Sequence, residues 1–350
     1  MRSSTPRSLG YRMPAEWEPQ SSVWLAWPTN PDTWSHELIS EVRQVYTELI
    51  AVLSVHQTVS LLVDQVDDEQ DVGDTLAAAQ VNEEAVRFLQ VPTVDTWVRD
   101  YGPTFLINDS LRQVGMVKWG FNAWGGKYDD LIADGGVPDQ LNRFLDLAMF
   151  EAGFVLEGGS IEVNGRGTVL TTEQCLLNPN RNPDLSRSEI EEGLKEFLSA
   201  PNVVWLTDGI EGDDTDGHID DIARFIDERT VLCAVEEDPA DSNYQILEDN
   251  HERLSLARDQ DGRGLNVLKL PMPDQVAGPH GRLPVSYANF YIGNRTVIVP
   301  VFGQRKDRTA LDLIQRCFPQ RRVVGIDSTA LVHGLGGIHC CTQQQPMPHI

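Results

Sequence analysis

Four short stretches, far apart in the chain, carry polar residues that could do chemistry together. They are Asp95-Thr96-Trp97-Val98-Arg99-Asp100, Glu157-Gly158-Gly159, the run Asp213-Asp214-Thr215-Asp216-Gly217-His218-Ile219-Asp220-Asp221, and Gly336-Gly337-Ile338-His339-Cys340-Cys341. Between them they offer several carboxylates, an imidazole and two adjacent thiols. That set suits a guanidinium. The group is planar, cationic and rich in donors, so carboxylates bind it through paired, charge-assisted hydrogen bonds. Its central carbon is a poor electrophile and calls for thiolate, the strongest nucleophile a side chain supplies. Departing ammonia needs a proton, and histidine titrates in the right range.

Each residue also has a plainer reading. Asp100 beside Arg99 could be a structural ion pair, Glu157 before two glycines a turn cap, and His218 a hydrogen-bonded core histidine. Asp213, Asp214 and Asp216 could hold a metal. The run lacks the calcium-hand pattern, however, because Gly217 directly follows Asp216 and no Glu closes it at the needed spacing. With one local histidine, a transition-metal site is weakly supported. Cys340 and Cys341 cannot both serve, because neighbours on a strand point to opposite faces. Residue pattern alone leaves that choice open.

The elements that must position these residues repeat. Residues 104–117 (TFLINDSLRQVGMV), 160–172 (SIEVNGRGTVLTT), 223–235 (ARFIDERTVLCAV) and 289–301 (NFYIGNRTVIVPV) each read as an apolar run, a polar turn and a second run rich in β-branched residues. That is a β-hairpin signature. Asn164-Gly165 and Gly293-Asn294 are suited to tight turns with positive φ. The last residues before the turns, Ile107, Val163, Ile226 and Ile292, recur at spacings of 56, 63 and 66. Residues 35–54 show a helix period, 186–198 start with a Ser-x-x-Glu capping box, and 307–318 form a third helix. Helices alternating with hairpins predict an α/β repeat closed into a ring that hides sheet edges. Asp100, Glu157 and Asp220 precede their pre-turn residues by seven, six and six positions. Equivalent positions around a ring would converge at its axis.

Bulk properties narrow the function. Asp plus Glu number 53 against 28 Lys plus Arg, a formal charge of -25. Such a surface repels nucleic acid and anionic lipid and attracts cations, with solubility the plainer explanation. No apolar run approaches the length of a membrane span. The five cysteines are odd in number and contain no C-x-x-C pair, which argues against a disulfide framework or thiolate zinc site and for a reducing cytoplasm. Acidic residues 64–80 and 236–249 read as solvated faces or loops. Residues 1–12 read as a loose arm, without the apolar core of a secretory signal. Residues 13–350 read as one domain.

These motifs resemble the agmatine deiminases, within the wider peptidylarginine-deiminase group of guanidine-modifying enzymes. The segments that carry the likeness are WVRDYGP (97–103), FNAWGG (121–126), LEGGSI (156–161), TTEQCLLNPNRNP (171–183), DGHID (216–220) and IHCCTQQQP (338–346). The resemblance implies a five-bladed α/β propeller (pentein) of ββαβ-type repeats with its site at the axis. It implies Cys340 as nucleophile, since the family cysteine directly follows Ile-His. By the same resemblance Asp100 and Asp220 hold the guanidinium, His218 is the acid–base, and Glu157 holds the histidine or the guanidinium edge. Asp214 and Trp97 line the substrate channel. The family needs no metal or cofactor and serves putrescine biosynthesis. The expected partner is a small cationic guanidino compound, agmatine first and peptidyl-arginine as the alternative, with a homodimer allowed. Four departures stand out: Glu162 where His is expected, Leu335 and Gly337 where Gly and Asn are expected, Asp221 for Asn, and a shortened segment after Gly126. An enzyme for free arginine would need a cation for the substrate carboxylate. Arg99 is the motif candidate, with Arg181, Arg224 and Arg295 as others.

Overall fold

The computed structural model describes residues 4–279 and 281–348. Residues 1–3, 280 and 349–350, which belong to the expected arm and to the single domain, lie outside the described residues.

The repeat foreseen from the hairpins becomes a repeated sheet. Thr104–Asn108 pairs antiparallel with Gln113–Gly120, which pairs parallel with Ala148–Val155. The same order recurs in Glu162–Val163, Thr168–Thr172 and Asn202–Leu206. It recurs again in Ala223–Phe225, Thr230–Val235 and Asn266–Pro271, and in Tyr291–Ile292, Thr296–Val301 and Arg322–Asp327. A parallel neighbour requires a long crossover, and a helix supplies it each time: Val137–Leu145, Arg187–Leu198, Asn243–Leu256 and Arg305–Cys317. The middle strands are buried on both faces, so they read as continuous β-branched and aliphatic runs.

A fifth sheet follows the same plan across the two ends of the chain. Gln343–Pro346 pairs antiparallel with Gln20–Ala26, which pairs parallel with Thr58–Val63 and then Val86–Gln90. No turn joins its antiparallel pair, so a search for hairpins passes over it. Its helix, Leu38–Leu53, buries Ile39, Val42, Val45, Tyr46, Leu49, Ile50 and Leu53 on one face, narrower than the 35–54 expected. Among the described residues no helix is long and apolar enough to cross a membrane.

Local details agree and differ for physical reasons. Ser186 accepts from the Glu189 N–H while Glu189 reaches back, the foreseen capping box. Gln304 and Asp307 make another, so the helix expected over 307–318 starts earlier, at Arg305. Gly165 has φ +69°, as a tight turn requires. Gly293 and Asn294 do not take positive φ. Asn294 instead serves through its side chain, which accepts from Gln20 N and donates to Gln20 O. Acidic residues 66–78 form a helix with Asp71 and Asp74 exposed, the solvated face of the two expected readings. Residues 4–12, expected loose, lie docked: Tyr11 is buried, the Arg12 N–H and C=O pair with Ile107, and the Thr5 hydroxyl donates to Glu196.

Candidate active site

The four polar stretches meet. Asp100 sits in the single helical turn Val98–Tyr101, which leads into Thr104–Asn108. Glu157 ends the approach to the second hairpin, and Asp220 lies in the turn Ile219–Asp221 before the third. Cys340 arrives just before the final strand. Five of the predicted residues form one buried cluster: Asp100, Glu157, His218, Asp220 and Cys340, the last 7% exposed and the others at most 3%.

Gly159 marks the centre. A Cβ built on it would lie 2.6 Å from His218 Nδ1, 2.8 Å from Asp100 Oδ1 and 3.1 Å from Asp220 Oδ2. Only glycine fits there, for reasons of space and not of φ. Around this point three buried polar atoms have no partner among the described residues: both ring nitrogens of His218 and Asp220 Oδ1. Such atoms are costly unless something completes them. His218 Nδ1 faces Asp100 Oδ1 at 3.7 Å, and Nε2 faces Glu157 Oε2 at 3.9 Å.

Each carboxylate is held from behind. Asp100 accepts from the Gly159 N–H and from Trp124 Nε1, both at 2.9 Å. Glu157 Oε1 accepts from Arg181 Nε at 2.7 Å. Asp220 Oδ2 meets His339 Nδ1 at 2.7 Å. His218 is aimed by its loop: Asp216 and Gly217 take φ +65° and +90°, and Asp213 accepts from the N–H groups of Gly217 and His218. Cys340 Sγ lies 3.2 Å from Asn289 Nδ2 and 3.8 Å from Asp220 Oδ2. Cys341 Sγ turns into the core and donates to the Ile338 carbonyl. The two thiols diverge as expected, but from a turn before the final strand and not from neighbouring positions on a strand.

The electrostatics divide the roles. Burial works to lower the His218 pKa, but Asp100, Asp220, Glu157 and Asp213 push it up. Burial pushes Asp100 up. Burial also opposes Asp220, yet His339 and His218 hold it below its usual range. Burial, then Asp220, Asp221 and Asp100, drive the Cys340 thiol well up. The point where these side chains converge is thus surrounded by carboxylates and favours a cation.

Two predicted residues lie outside this contact set. Asp214 sits at a partly exposed rim, bound by the Tyr128 hydroxyl and by Lys127. Trp97 is buried against Trp34 and Gly336. Glu157, Cys175 and His218 lie close enough to share a metal, but the Arg181 charge on Glu157 opposes a cation there.

Sequence reasoning gave no role to Glu16, Asn289 or His339. Arg181 and Arg224 were seen only as substrate-carboxylate candidates, and both are consumed, by Glu157 with Asp216 and by Glu16 with Glu162. Arg99 is spent on Glu16, Gln343 and Gln344. The departures are accommodated too. Glu162 pairs Arg224, Asp221 accepts from Asn289, and Leu335 takes φ +67°, a conformation that favours glycine. Gly337 leaves room for Asn289 Oδ1, 2.4 Å from where a Cβ would stand. Arg295 is exposed at a hairpin turn.

Comparison with known proteins gives a consistent result. The agmatine deiminase of Pseudomonas putida is 41% identical over 376 residues, covering 99% of this chain and 98% of that protein. A solved agmatine deiminase of Enterococcus faecalis superposes with a TM-score of 0.91 at 37% identity, over 100% of this chain and 99% of that one. A substrate-bound agmatine deiminase of C. jejuni superposes at 0.86 with 31% identity, over 96% of each. The model of the Porphyromonas-type peptidyl-arginine deiminases matches residues 12–346, and with likeness of this extent the chain belongs to that family.

Proposed function

We propose that this chain hydrolyses agmatine to N-carbamoylputrescine and ammonia, a step toward putrescine. One observation carries the reading. Three unpartnered buried atoms, on His218 and Asp220, converge with Asp100 and the Cys340 thiol beside Gly159. A planar guanidinium would supply donors to Asp100 and Asp220 together.

The roles follow from position. Asp100 and Asp220 hold the guanidinium. Its positive charge offsets the anions that raise the Cys340 pKa, so substrate itself favours thiolate. The thiol proton passes to solvent as the thiolate forms, and its sulfur bonds to the central carbon to give a tetrahedral adduct. The C–N bond then breaks, His218 giving its proton to departing ammonia. An S-alkylthiouronium remains. Water attacks it and His218 takes one of the water's protons; the C–S bond then breaks while the remaining hydroxyl proton passes to sulfur, which releases the urea product and the thiol. Glu157 adds to the field that favours a charged His218, and Arg181 fixes its Oε1 in place. Asp214 at the rim and Trp97 beside Gly336 border the path of the amine tail.

Substrate choice rests on what the cations do. Arg99, Arg181 and Arg224 are all engaged by carboxylates or glutamines, so none is free for a substrate carboxylate. This favours agmatine over arginine. The buried thiol favours a slender substrate over a peptide. We further propose that the five sheets are blades of a propeller around this site, on the strength of their shared strand order. All five cysteines are free, in keeping with a reducing cytoplasm.

The test is ammonia release from agmatine, arginine and an arginyl peptide, followed by acid trapping and mass spectrometry. Agmatine turnover with an adduct on Cys340 is expected. Preference for the peptide, or an adduct elsewhere, would replace this reading.

A further inference from the structure

Behind the site lies a second charged layer that the chemistry above does not use. His339 presents both ring nitrogens to carboxylates: Nδ1 to Asp220 Oδ2 at 2.7 Å and Nε2 to Glu16 Oε2 at 2.8 Å. A neutral imidazole has one donor and one acceptor nitrogen, so one of these contacts would set a lone pair against a carboxylate oxygen. A proton on Glu16 is disfavoured by its surroundings. Its Oε1 accepts from Arg224 Nη2 and the Ile292 N–H, and its Oε2 also faces Arg99 Nη2. Burial opposes ionisation of Glu16, yet Arg224, His339 and Arg99 hold its pKa well down.

We infer that His339 is an imidazolium clamped between Asp220 and Glu16, and that this clamp fixes Asp220 with Oδ1 left free for the guanidinium. His339 is therefore a positioning residue. It touches Asp220 and not the reacting carbon. The fixed charge belongs to the protein and is present whether or not substrate is bound. Every element around it contributes. Glu16 comes from the segment before the first strand. Arg99 donates to the His339 carbonyl, and Asn289 fixes its N–H. Arg224 and Glu162 stand one step behind Glu16. Asp220 is faced in turn by His218, Asp100, Asp221 and Cys340.

The positioning role rests on the proposed hydrolysis, whereas the charge state does not, so they are tested separately. In the full chain with 15N-labelled histidine at neutral pH, both ring nitrogens of His339 should carry protons, since each faces a carboxylate oxygen. In Glu16→Gln at the same pH one ring nitrogen should lose its proton. A neutral His339 in the native chain, or an unchanged state in Glu16→Gln, overturns the clamp. In His339→Gln the KM for agmatine should rise on the order of tenfold, with kcat falling less. The acidic limb of kcat/KM should also move to higher pH, because Asp220 loses its cation. Unchanged KM and acidic limb in the folded variant overturn the positioning role. Should the native chain not turn over agmatine, the labelled spectrum still decides the clamp.

Discussion

Arg181 and Glu157 form an ion pair from which solvent is wholly excluded: Nε donates to Oε1 at 2.7 Å, and both side chains are 0% exposed. The other guanidinium nitrogens bind Asp216 and the Thr215 carbonyl. Removing one partner of such a pair leaves an uncompensated buried charge. Arg181→Met should therefore cost about 3–5 kcal/mol of stability, read from urea unfolding. An unchanged midpoint would mean that Glu157 is held by something else.

The neighbouring cysteines should separate cleanly. Cys340→Ser should lose at least about a thousandfold in turnover with an unchanged melting temperature. Cys341→Ser should keep most of its activity, because Cys341 packs in the core with its thiol raised to about 12 by burial. Steady-state ammonia release on both variants checks this. An inactive, folded Cys341 variant would contradict it.

Gly159→Ala puts a methyl into the cavity, against His218, Asp100 and Asp220. A displacement of about 1 Å among reacting groups costs on the order of a hundredfold in rate. We expect at least that loss in kcat/KM together with a lower melting temperature, since the Cβ would stand under 3.0 Å from His218 Nδ1 and Asp100 Oδ1 and both must shift.

Asn289 Nδ2 bridges Asp221 Oδ1 at 3.0 Å and Cys340 Sγ at 3.2 Å, so the charge of Asp221 reaches the thiol. Negative charge disfavours thiolate. Asp221→Asn should lower the Cys340 pKa, because Asp221 is one of the carboxylates that raise it. The midpoint of iodoacetamide alkylation against pH in the free protein would move to lower pH. A midpoint that stays or rises would show that Asp221 is neutral while the thiol titrates.

Stability should also carry a pH signature away from the cavity. Burial pushes Asp134 up to about 7 and Asp95 up to about 6, against the N–H groups that Asp134 accepts from Val94 and Asp95. Both bind protons more tightly folded than unfolded. Their contribution is full below about pH 4 and is lost as pH rises through about 6 to 7. Asp134→Asn should flatten the fall in melting temperature over that window. Parallel curves for the two proteins would refute the assignment.

Much of this arrangement was legible in the sequence. Four hairpins announce themselves because each has two apolar runs around a turn of the right chemistry, and polar residues at fixed offsets before them have little structural reason to be there. The fifth sheet is illegible because its antiparallel partners, Gln20–Ala26 and Gln343–Pro346, stand at opposite ends of the chain. Glu16 and His339 were passed over for a related reason. A buried polar clamp has no period, and each half means nothing until the other is beside it. Arg181 lies in a recognisable segment, but nothing local points to Glu157. Asp214, read with the channel, is on the rim, because Tyr128 and Lys127 engage it there.

The pairing of the last strand with the first has a consequence for synthesis. Asp100, His218 and Asp220 leave the ribosome long before Cys340, and Cys340 is itself followed by the strand that completes the sheet with Gln20–Ala26. A nascent chain therefore holds the anions around Gly159 before it holds the nucleophile, and the sulfur of Cys340 is fixed only when the strand after it closes the sheet.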